Sequence, residues 1–384
     1  MTQKVLILSE HCPPVVGGSS VWVGKIAEHW PGQAIVMTGD RTGLPARESC
    51  GAAEIRPLPW SFPSWAPDCA TSIMGYLRWI VTALVLGLRH QVDLVFCGRG
   101  VPEGVIARIV CGLLGRPYAV LAHGEEITTC LGSRSLSMLL RFAYSGARCI
   151  IANSSNTAKL VSRAGGADGA CRVVPPGVDA AKFCQTTGQG RSFQEIVRGR
   201  VVLSVGRLYV HKNYVGVTQA VGRLVRQGCD VTYLVAGTGP CEGAIRDAAK
   251  TEGIPDRVHL LGEVSNAELI TLYRAADVFA LPGILRENVF EGFGIVFLEA
   301  AAAGKPSIAG NSGGSGEAVL DGRTGYVVDG RDVGIIEDRL RRLLDDDALR
   351  TSMGAAAQAR VRAEFDWPIV LRKLYDTVEE VMRL

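Results

Sequence analysis

Short apolar or β-branched runs bounded by turn residues alternate with stretches long enough for a helix, and the alternation occurs twice. In the first half the runs fall at residues 5–8, 34–37, 94–97, 119–122 and 150–152. In the second they fall at 201–205, 232–236, 258–261, 278–281, 307–309 and 325–328. Repeated strand–helix units build a parallel sheet covered on both faces. The expected class is therefore α/β, with two doubly wound, Rossmann-like parallel-sheet domains facing each other across a cleft. The 384 residues, 47% hydrophobic and 21% charged, are ample for two cores and long for one. Residues 184–199 have neither period nor bulk and read as a linker between domains at 1–183 and 200–365. A ligand is expected at the carboxyl ends of the strands.

Several function classes drop out. A formal net charge of +3 provides no broad basic field, so nucleic acid is not a partner, while phosphate groups or anionic lipid stay compatible. The first strand is followed by Glu10-His-Cys-Pro-Pro-Val-Val-Gly-Gly, and Gly237-Thr-Gly239 is followed by Pro240. Neither is the glycine fingerprint of a dinucleotide site, and no Walker loop occurs. Asp345-Asp346-Asp347 lies between two helical stretches and reads as capping, not metal binding. The six histidines lack zinc spacing, so no metal or resident cofactor is expected. Eleven cysteines without a Cys-x-x-Cys pair read as buried thiols of a reducing cytosol. The amino-terminal apolar run is too short for a signal peptide, which favours a cytoplasmic protein. Residues 72–88 carry Arg78 and fall short of a membrane span, so they read as a buried or interfacial helix. The tryptophans at 60 and 65 flank a loop that either packs or meets lipid.

Chemistry concentrates in Glu291-Gly-Phe293-Gly294-Ile295-Val-Phe-Leu-Glu299. An apolar helix is predicted from about Gly294 to the Gly304-Lys305-Pro306 stop. Amides and dipole at its start suit phosphate, and the two carboxylates on either side suit hydroxyls, which they accept as hydrogen-bond donors. A diphosphate with a polyol on each side matches both. The spacing equally admits a helix-start Glu291 and an exposed Glu299. Elsewhere, Val201-Val-Leu-Ser-Val-Gly206-Arg207-Leu-Tyr-Val-His211-Lys212 delivers two cations at a strand end, placed to meet phosphate. Gly17-Gly18-Ser19-Ser20 forms a glycine turn into a helix, and His123-Gly124-Glu125-Glu126 follows a buried strand.

In this order, with Pro175-Pro-Gly177-Val-Asp179, Gly237-Thr-Gly239, Gly313-Gly314, Glu317 and Asp321-Gly-x-Thr-Gly325, these pieces resemble retaining GT-B glycosyltransferases of family 4 across nearly the whole chain. The resemblance implies a metal-independent hexosyltransferase drawing on a UDP- or GDP-sugar. It implies that Arg207 and Lys212 bind the diphosphate, that Glu299 binds the ribose, and that Glu291 with the backbone of Phe293, Gly294 and Ile295 holds the sugar. Gly18 would abut the phosphate, Gly237 and Val264 would line the donor site, and His123 would contact the sugar. His123, Arg207, Lys212 and Glu291 are thus the expected catalytic set. The resemblance also implies a carboxyl-terminal helix, 366–384, returning to the first domain. His11, Gly17, Ser19 and Arg99 are the acceptor-side candidates, for a glycan or lipid-linked acceptor of the cell envelope at the cytoplasmic membrane face. A nucleotide-sugar epimerase on the same scaffold and a non-catalytic nucleotide-sugar-binding subunit are the alternatives.

Overall fold

The computed structural model describes residues 3–13, 17–39, 48–50, 53–58, 60, 62–167, 169–184, 193, 195–286 and 289–383. The described strands form two sheets. The first comprises β1 Val5–Ser9, β2 Ala34–Thr38, β3 Glu48–Cys50, β4 Ala53–Pro57, β5 Leu94–Cys97, β6 Tyr118–Ala122, β7 Cys149–Ala152 and β8 Cys171–Val173, in the order β3-β4-β2-β1-β5-β6-β7-β8. The second comprises β9 Arg200–Val205, β10 Val231–Ala236, β11 Val258–Gly262, β12 Val278–Leu281, β13 Ser307–Gly310 and β14 Gly325–Val328, in the order β11-β10-β9-β12-β13-β14. Every pairing is parallel except β3 with β4. The central strands are buried along their length, which is why they read as uninterrupted apolar runs.

All eleven expected strands are present. The three that were not anticipated, β3, β4 and β8, lie at sheet margins. Glu54 and Arg56 of β4 and Arg172 of β8 are only half-buried, so their pattern lacks the apolar run of a central strand.

The chain divides into one unit of Met1–Pro176 with Val370–Leu384 and another of Gly177–Ile369. The division comes earlier than residue 183 because the helix Ala180–Cys184 is committed to the second unit. Phe183 belongs to that unit's core, its ring meets Tyr273 at 5.5 Å, and the Ala180 amide donates to Asp366 Oδ1 at 3.1 Å. Of the 184–199 stretch only Cys184, Phe193 and 195–199 lie within the described residues, and Phe193 is buried in the same core. The last helix, Trp367–Arg383, carries the chain back into the first unit. There Tyr375 donates to Ile26 O at 3.2 Å and sets its ring edge-on to Trp30, while Arg148 donates to Val381 O at 3.0 Å.

Each sheet reverses direction once. β1 has β2 on one side and β5 on the other, and β9 has β10 and β12. Such switch points open a crevice at the carboxyl ends of the strands. Glu10 and His11 follow β1, and Gly98 and Arg99 follow β5. In the second unit Gly206 to Lys212 follow β9, and the 282–294 segment follows β12.

Candidate active site

In the second unit three glycines let the strand ends close on one another. The Gly206 amide donates to Ala236 O at 2.9 Å, the Gly237 amide donates to Gly262 O at 2.8 Å, and the Leu208 amide donates to Thr238 O at 2.9 Å. A Cβ on Gly237 would lie 2.1 Å from Gly206 O, so no side chain fits between these turns. The β9 loop then turns through a short helical segment, Val210–Lys212, that ends on Asn213 at φ 62°. Asn213 pins that turn with its side-chain amide, which donates to Gly330 O at 2.6 Å and Pro282 O at 3.2 Å.

This places Lys212 against Glu291, 79 residues away. Lys212 Nζ donates to Glu291 Oε2 at 2.7 Å, and the two side chains are only 14% and 18% exposed. Burial alone would push the Glu291 carboxyl up; Lys212, with His211 and Arg207 behind it, outweighs burial and holds it below the usual carboxylate range. Arg207 is exposed at the same loop, its guanidinium 5.2 Å from the centroid of the Tyr209 ring. The Tyr209 ring in turn stacks on His211. A carboxylate and two cations therefore occupy one strand-end crevice.

The helix after Glu291 runs Ile295–Ala302 and starts on Gly294 at φ 86° with no side chain capping it. The Gly314 amide donates to Glu291 O at 3.0 Å and fixes the approach to the helix. Gly313, at φ 72°, passes so close that a Cβ there would sit 2.1 Å from that carbonyl. Phe293 is buried in the core. Glu299 is half-buried, one turn beyond, and accepts from Tyr273 Oη at 2.7 Å. Burial pushes its carboxyl above the usual range, with Tyr273 and then Lys182 pulling the other way. Neither alternative left open by the spacing holds in full. Glu299 is not an exposed position, and Glu291 is engaged by a lysine more than by the helix start. Gly237 and the half-buried Val264 lie at the ends of β10 and β11, on the same edge of the sheet.

In the first unit His123 is half-buried after β6. Its Nε2–H donates to Gly98 O at 2.8 Å, its amide donates to Glu126 Oε1 at 2.6 Å, and its carbonyl accepts from Asn153 Nδ2 at 2.9 Å. Trp22 sets its ring edge-on to the imidazole at 5.6 Å. Burial pushes the imidazole below its ordinary value and Arg99 adds to this, against Glu126 and Glu125. A neutral ring whose Nε2 carries the proton presents Nδ1 as an acceptor.

Arg99 is not a free acceptor contact. It is buried between Glu10 and Glu103, with its Nε 3.5 Å from Glu103 Oε1 and Trp65 beneath its guanidinium at 5.1 Å. Glu103 is fully buried, accepts from the Glu10 amide at 2.8 Å and, among the described residues, has no partner for Oε2; burial pushes it up to about 7. His11 is half-buried beside this group, and burial followed by Arg99 lowers its imidazole. Gly17 and Gly18 are exposed and Ser19 is half-buried at the start of the helix Gly18–Glu28, which has no side-chain cap. Val15 and Val16 lie outside the described residues. Tyr273, Tyr209 and Glu103 carried no sequence signal as site residues, because each acts through a partner distant in the chain or within a turn; Glu126, which follows the β6 strand in the sequence motif, is buried against the His123 amide instead of lying on a surface loop.

Other expectations sort similarly. Asp346 caps the helix Asp347–Arg360 through the Leu349 amide, and Asp347 pairs with Arg350. Phe62 packs edge-on to Tyr76 and beside Trp79, while Trp60 and Trp65 are half-buried. Not all cysteines are buried: Cys69 and Cys184 are exposed, since each sits at a helix end, and the Cys50 side chain lies outside the description. Among the described residues no group of three His, Cys, Asp or Glu could hold a metal.

Residues 16–182 match the description "Glycosyltransferase Family 4" and residues 191–360 match "Glycosyl transferases group 1". The chain is 33% identical over 294 residues to the GDP-mannose-dependent alpha-(1-6)-phosphatidylinositol monomannoside mannosyltransferase of Mycobacterium tuberculosis, covering 75% of this chain and 76% of the relative. It is 27% identical over 394 residues to the GDP-mannose-dependent monoacylated alpha-(1-6)-phosphatidylinositol monomannoside mannosyltransferase of Corynebacterium glutamicum, covering 100% and 99%. The Anabaena protein HepE in complex with UDP-glucose shares the fold, with a TM-score of 0.78 at 20% identity over 98% of this chain and 99% of that one. Sucrose-phosphate synthase of Thermosynechococcus elongatus gives a TM-score of 0.81 at 19% identity, over 99% of each chain. With both halves of its sequence matched and its two parallel-sheet units of the GT-B type, the chain belongs to glycosyltransferase family 4.

Proposed function

We propose that the protein transfers a mannosyl group from GDP-mannose to a hydroxyl of a phosphatidylinositol-linked glycolipid at the cytoplasmic face of the membrane, with retention at the anomeric carbon. The Lys212–Glu291 pair beside Arg207, at the start of the Ile295–Ala302 helix, is the observation that carries the reaction. The relatives supply donor and acceptor: the mycobacterial and corynebacterial proteins are both GDP-mannose-dependent and act on phosphatidylinositol mannosides.

In the reaction the bond from C1 to the β-phosphate oxygen breaks, a bond from the acceptor oxygen to C1 forms, and the acceptor proton passes to the departing diphosphate. Negative charge grows on GDP and positive charge on the sugar ring. Arg207, Lys212 and the helix amides are assigned to stabilise the first, and the carboxylate of Glu291 to orient hydroxyls around the second. Two side-chain cations perform the neutralisation that a metal performs elsewhere, so transfer should persist in a chelator. Glu299, steadied by Tyr273, is assigned to the ribose, the backbone of Phe293, Gly294 and Ile295 to the sugar, and the Gly237 and Val264 turns to the rest of the nucleotide. In the first unit Nδ1 of His123 is assigned to a sugar hydroxyl and Gly18 to the phosphate, with His11, Gly17 and Ser19 on the acceptor side; Arg99 shapes that side through Glu10 and Glu103.

A thermal-shift panel of GDP, UDP and ADP with their sugars tests the donor, with GDP and GDP-mannose expected to stabilise most. Transfer of labelled mannose to phosphatidylinositol mannoside, with the product's anomeric configuration read by NMR, tests the rest. Conversion of GDP-mannose to its epimer without any acceptor would overturn the transferase assignment.

A further inference from the structure

The helix Ala70–His90 is apolar on both sides. One side faces the first unit's core, with Trp79 and Ala83 wholly buried and Tyr76 donating to Trp65 O at 2.7 Å. At about 100° per residue, the opposite arc of about 120° gathers Ile73, Met74, Leu77, Val81, Val85 and Leu88, all exposed. Val81 is 60% and Leu88 63% exposed, far beyond what a core helix leaves in water. Arg78 and Arg89 border the arc on one edge, and the Arg78 guanidinium rests over the Trp60 ring at 4.3 Å.

The next two helices continue the surface. Val105–Leu114 packs beside Ala70–His90, where a Cβ on Gly87 would meet Leu114, and it exposes Leu113. Arg134–Ser145 packs beside it in turn, with the Arg108 guanidinium 5.6 Å from the centroid of the Phe142 ring, and exposes Met138 and Phe142. These three helices contain Arg78, Arg89, Arg108, Arg134 and Arg141 and not one aspartate or glutamate. The whole chain, by contrast, is nearly balanced at +3.

We propose that this helix layer is the surface by which the protein docks on an anionic lipid bilayer, with Ala70–His90 lying in the plane of the interface. At about 1.5 Å per residue the helix is roughly 32 Å long. It cannot span with half its circumference committed to the core, but it can lay an apolar face at the headgroup boundary, with arginines reaching lipid phosphate. A second copy of the chain is the less suitable occupant, because an isologous contact would oppose arginines with arginines and offer no carboxylate between them. The inference deepens the reading of a lipid-linked acceptor, yet it needs neither donor nor acceptor to be tested.

Full-length protein is sedimented with phosphatidylcholine vesicles and with vesicles one-third phosphatidylglycerol. Binding is expected only to the anionic vesicles and to weaken with salt. Arg78→Gln and Arg89→Gln should each lower it about fivefold. Val81→Asp and Leu88→Asp should abolish it while leaving the thermal shift by GDP unchanged. Absence of vesicle binding, equal binding to neutral vesicles, or a dimer that Val81→Asp dissociates without any effect on vesicles would each overturn the proposal. A protein that docks as expected but is not stabilised by any nucleotide would overturn the transferase reading and leave the docking surface standing.

Discussion

Replacing Glu291 by Gln should move nucleotide binding and sugar transfer in opposite directions. Lys212 is held by Glu291 at 2.7 Å with little of either side chain in water. To take a diphosphate, the lysine must turn to phosphate while the carboxylate stays close by. Two unit charges about 5 Å apart at an effective dielectric near 20 repel by about 3 kcal/mol. With Lys212 still between them, roughly half of that should survive, about 1.5 kcal/mol. Glutamine removes the charge and keeps the shape, so GDP without its sugar should bind about tenfold tighter to Glu291→Gln than to the wild type, at 1.4 kcal/mol per factor of ten.

Transfer should fall instead. The hydrogen bonds that a carboxylate makes to sugar hydroxyls strengthen as the ring gains positive charge, and an amide oxygen supplies only part of this. Loss of one such interaction costs about 100-fold or more in rate. Isothermal titration with GDP and initial rates of transfer from GDP-mannose measure the two effects on the same preparation. Lys212→Met is the control, expected to weaken both. If Glu291→Gln binds GDP no more tightly than the wild type, the carboxylate does not oppose the diphosphate. Unchanged transfer would show that it does not touch the sugar. Either outcome refutes the reasoning.

Tyr273→Phe removes the hydroxyl that donates to Glu299 and should raise the KM for donor by about five- to tenfold with kcat little changed, as expected for a contact made equally in ground and transition states; steady-state kinetics measure this. Gly313→Ala places a Cβ against Glu291 O at a backbone angle that disfavours side chains, so it should lower the melting temperature by several degrees and abolish transfer. Glu103, pushed up to about 7 by burial, takes up a proton in the folded state that the unfolded chain holds only below about 4.3, so its contribution to stability is present in acid and lost as pH rises through 7. Glu103→Gln should therefore gain stability over the wild type at pH 8 and lose that advantage at pH 5, as read by denaturant unfolding. His123 is lowered, so the unfolded chain binds the extra proton and the folded protein loses stability as pH falls below about 6.5; His123→Asn should flatten that limb of the melting profile.

The sheets were readable because their central strands are buried on both faces. Residues 94–97 and 278–281 are unbroken apolar runs, and the structure forms strands over those same residues. Margin strands obey a weaker rule. In Ala53–Pro57 one face meets water, Glu54 and Arg56 sit on it, and the segment loses the signal that marks its neighbours. The end of the first unit was misplaced for a related reason. Ala180–Cys184 is a five-residue helix with little pattern of its own, and what assigns it is the contact of Phe183 with Tyr273, some ninety residues on.

Within the site, position was legible and partnership was not. A strand end followed by Gly206-Arg207 and a glycine loop running into an apolar helix both mark a strand-end crevice, because each rests on local backbone requirements. Nothing in the spacing of Glu291 and Glu299 announces that they play different parts. The fold separates them. Glu291 meets Lys212 from the β9 loop and is held ionised among cations, while Glu299 meets Tyr273 from the Asn266–Ala275 helix and is pushed toward its neutral form by burial. A carboxylate held anionic is suited to opposing developing positive charge on a sugar ring, and one eased toward protonation is suited to exchanging hydrogen bonds with a neutral hydroxyl. The difference between the two carboxylates, on which the proposed assignment to sugar and ribose rests, is therefore a property of their partners, residues 79 and 26 positions away, and not of the motif that contains both.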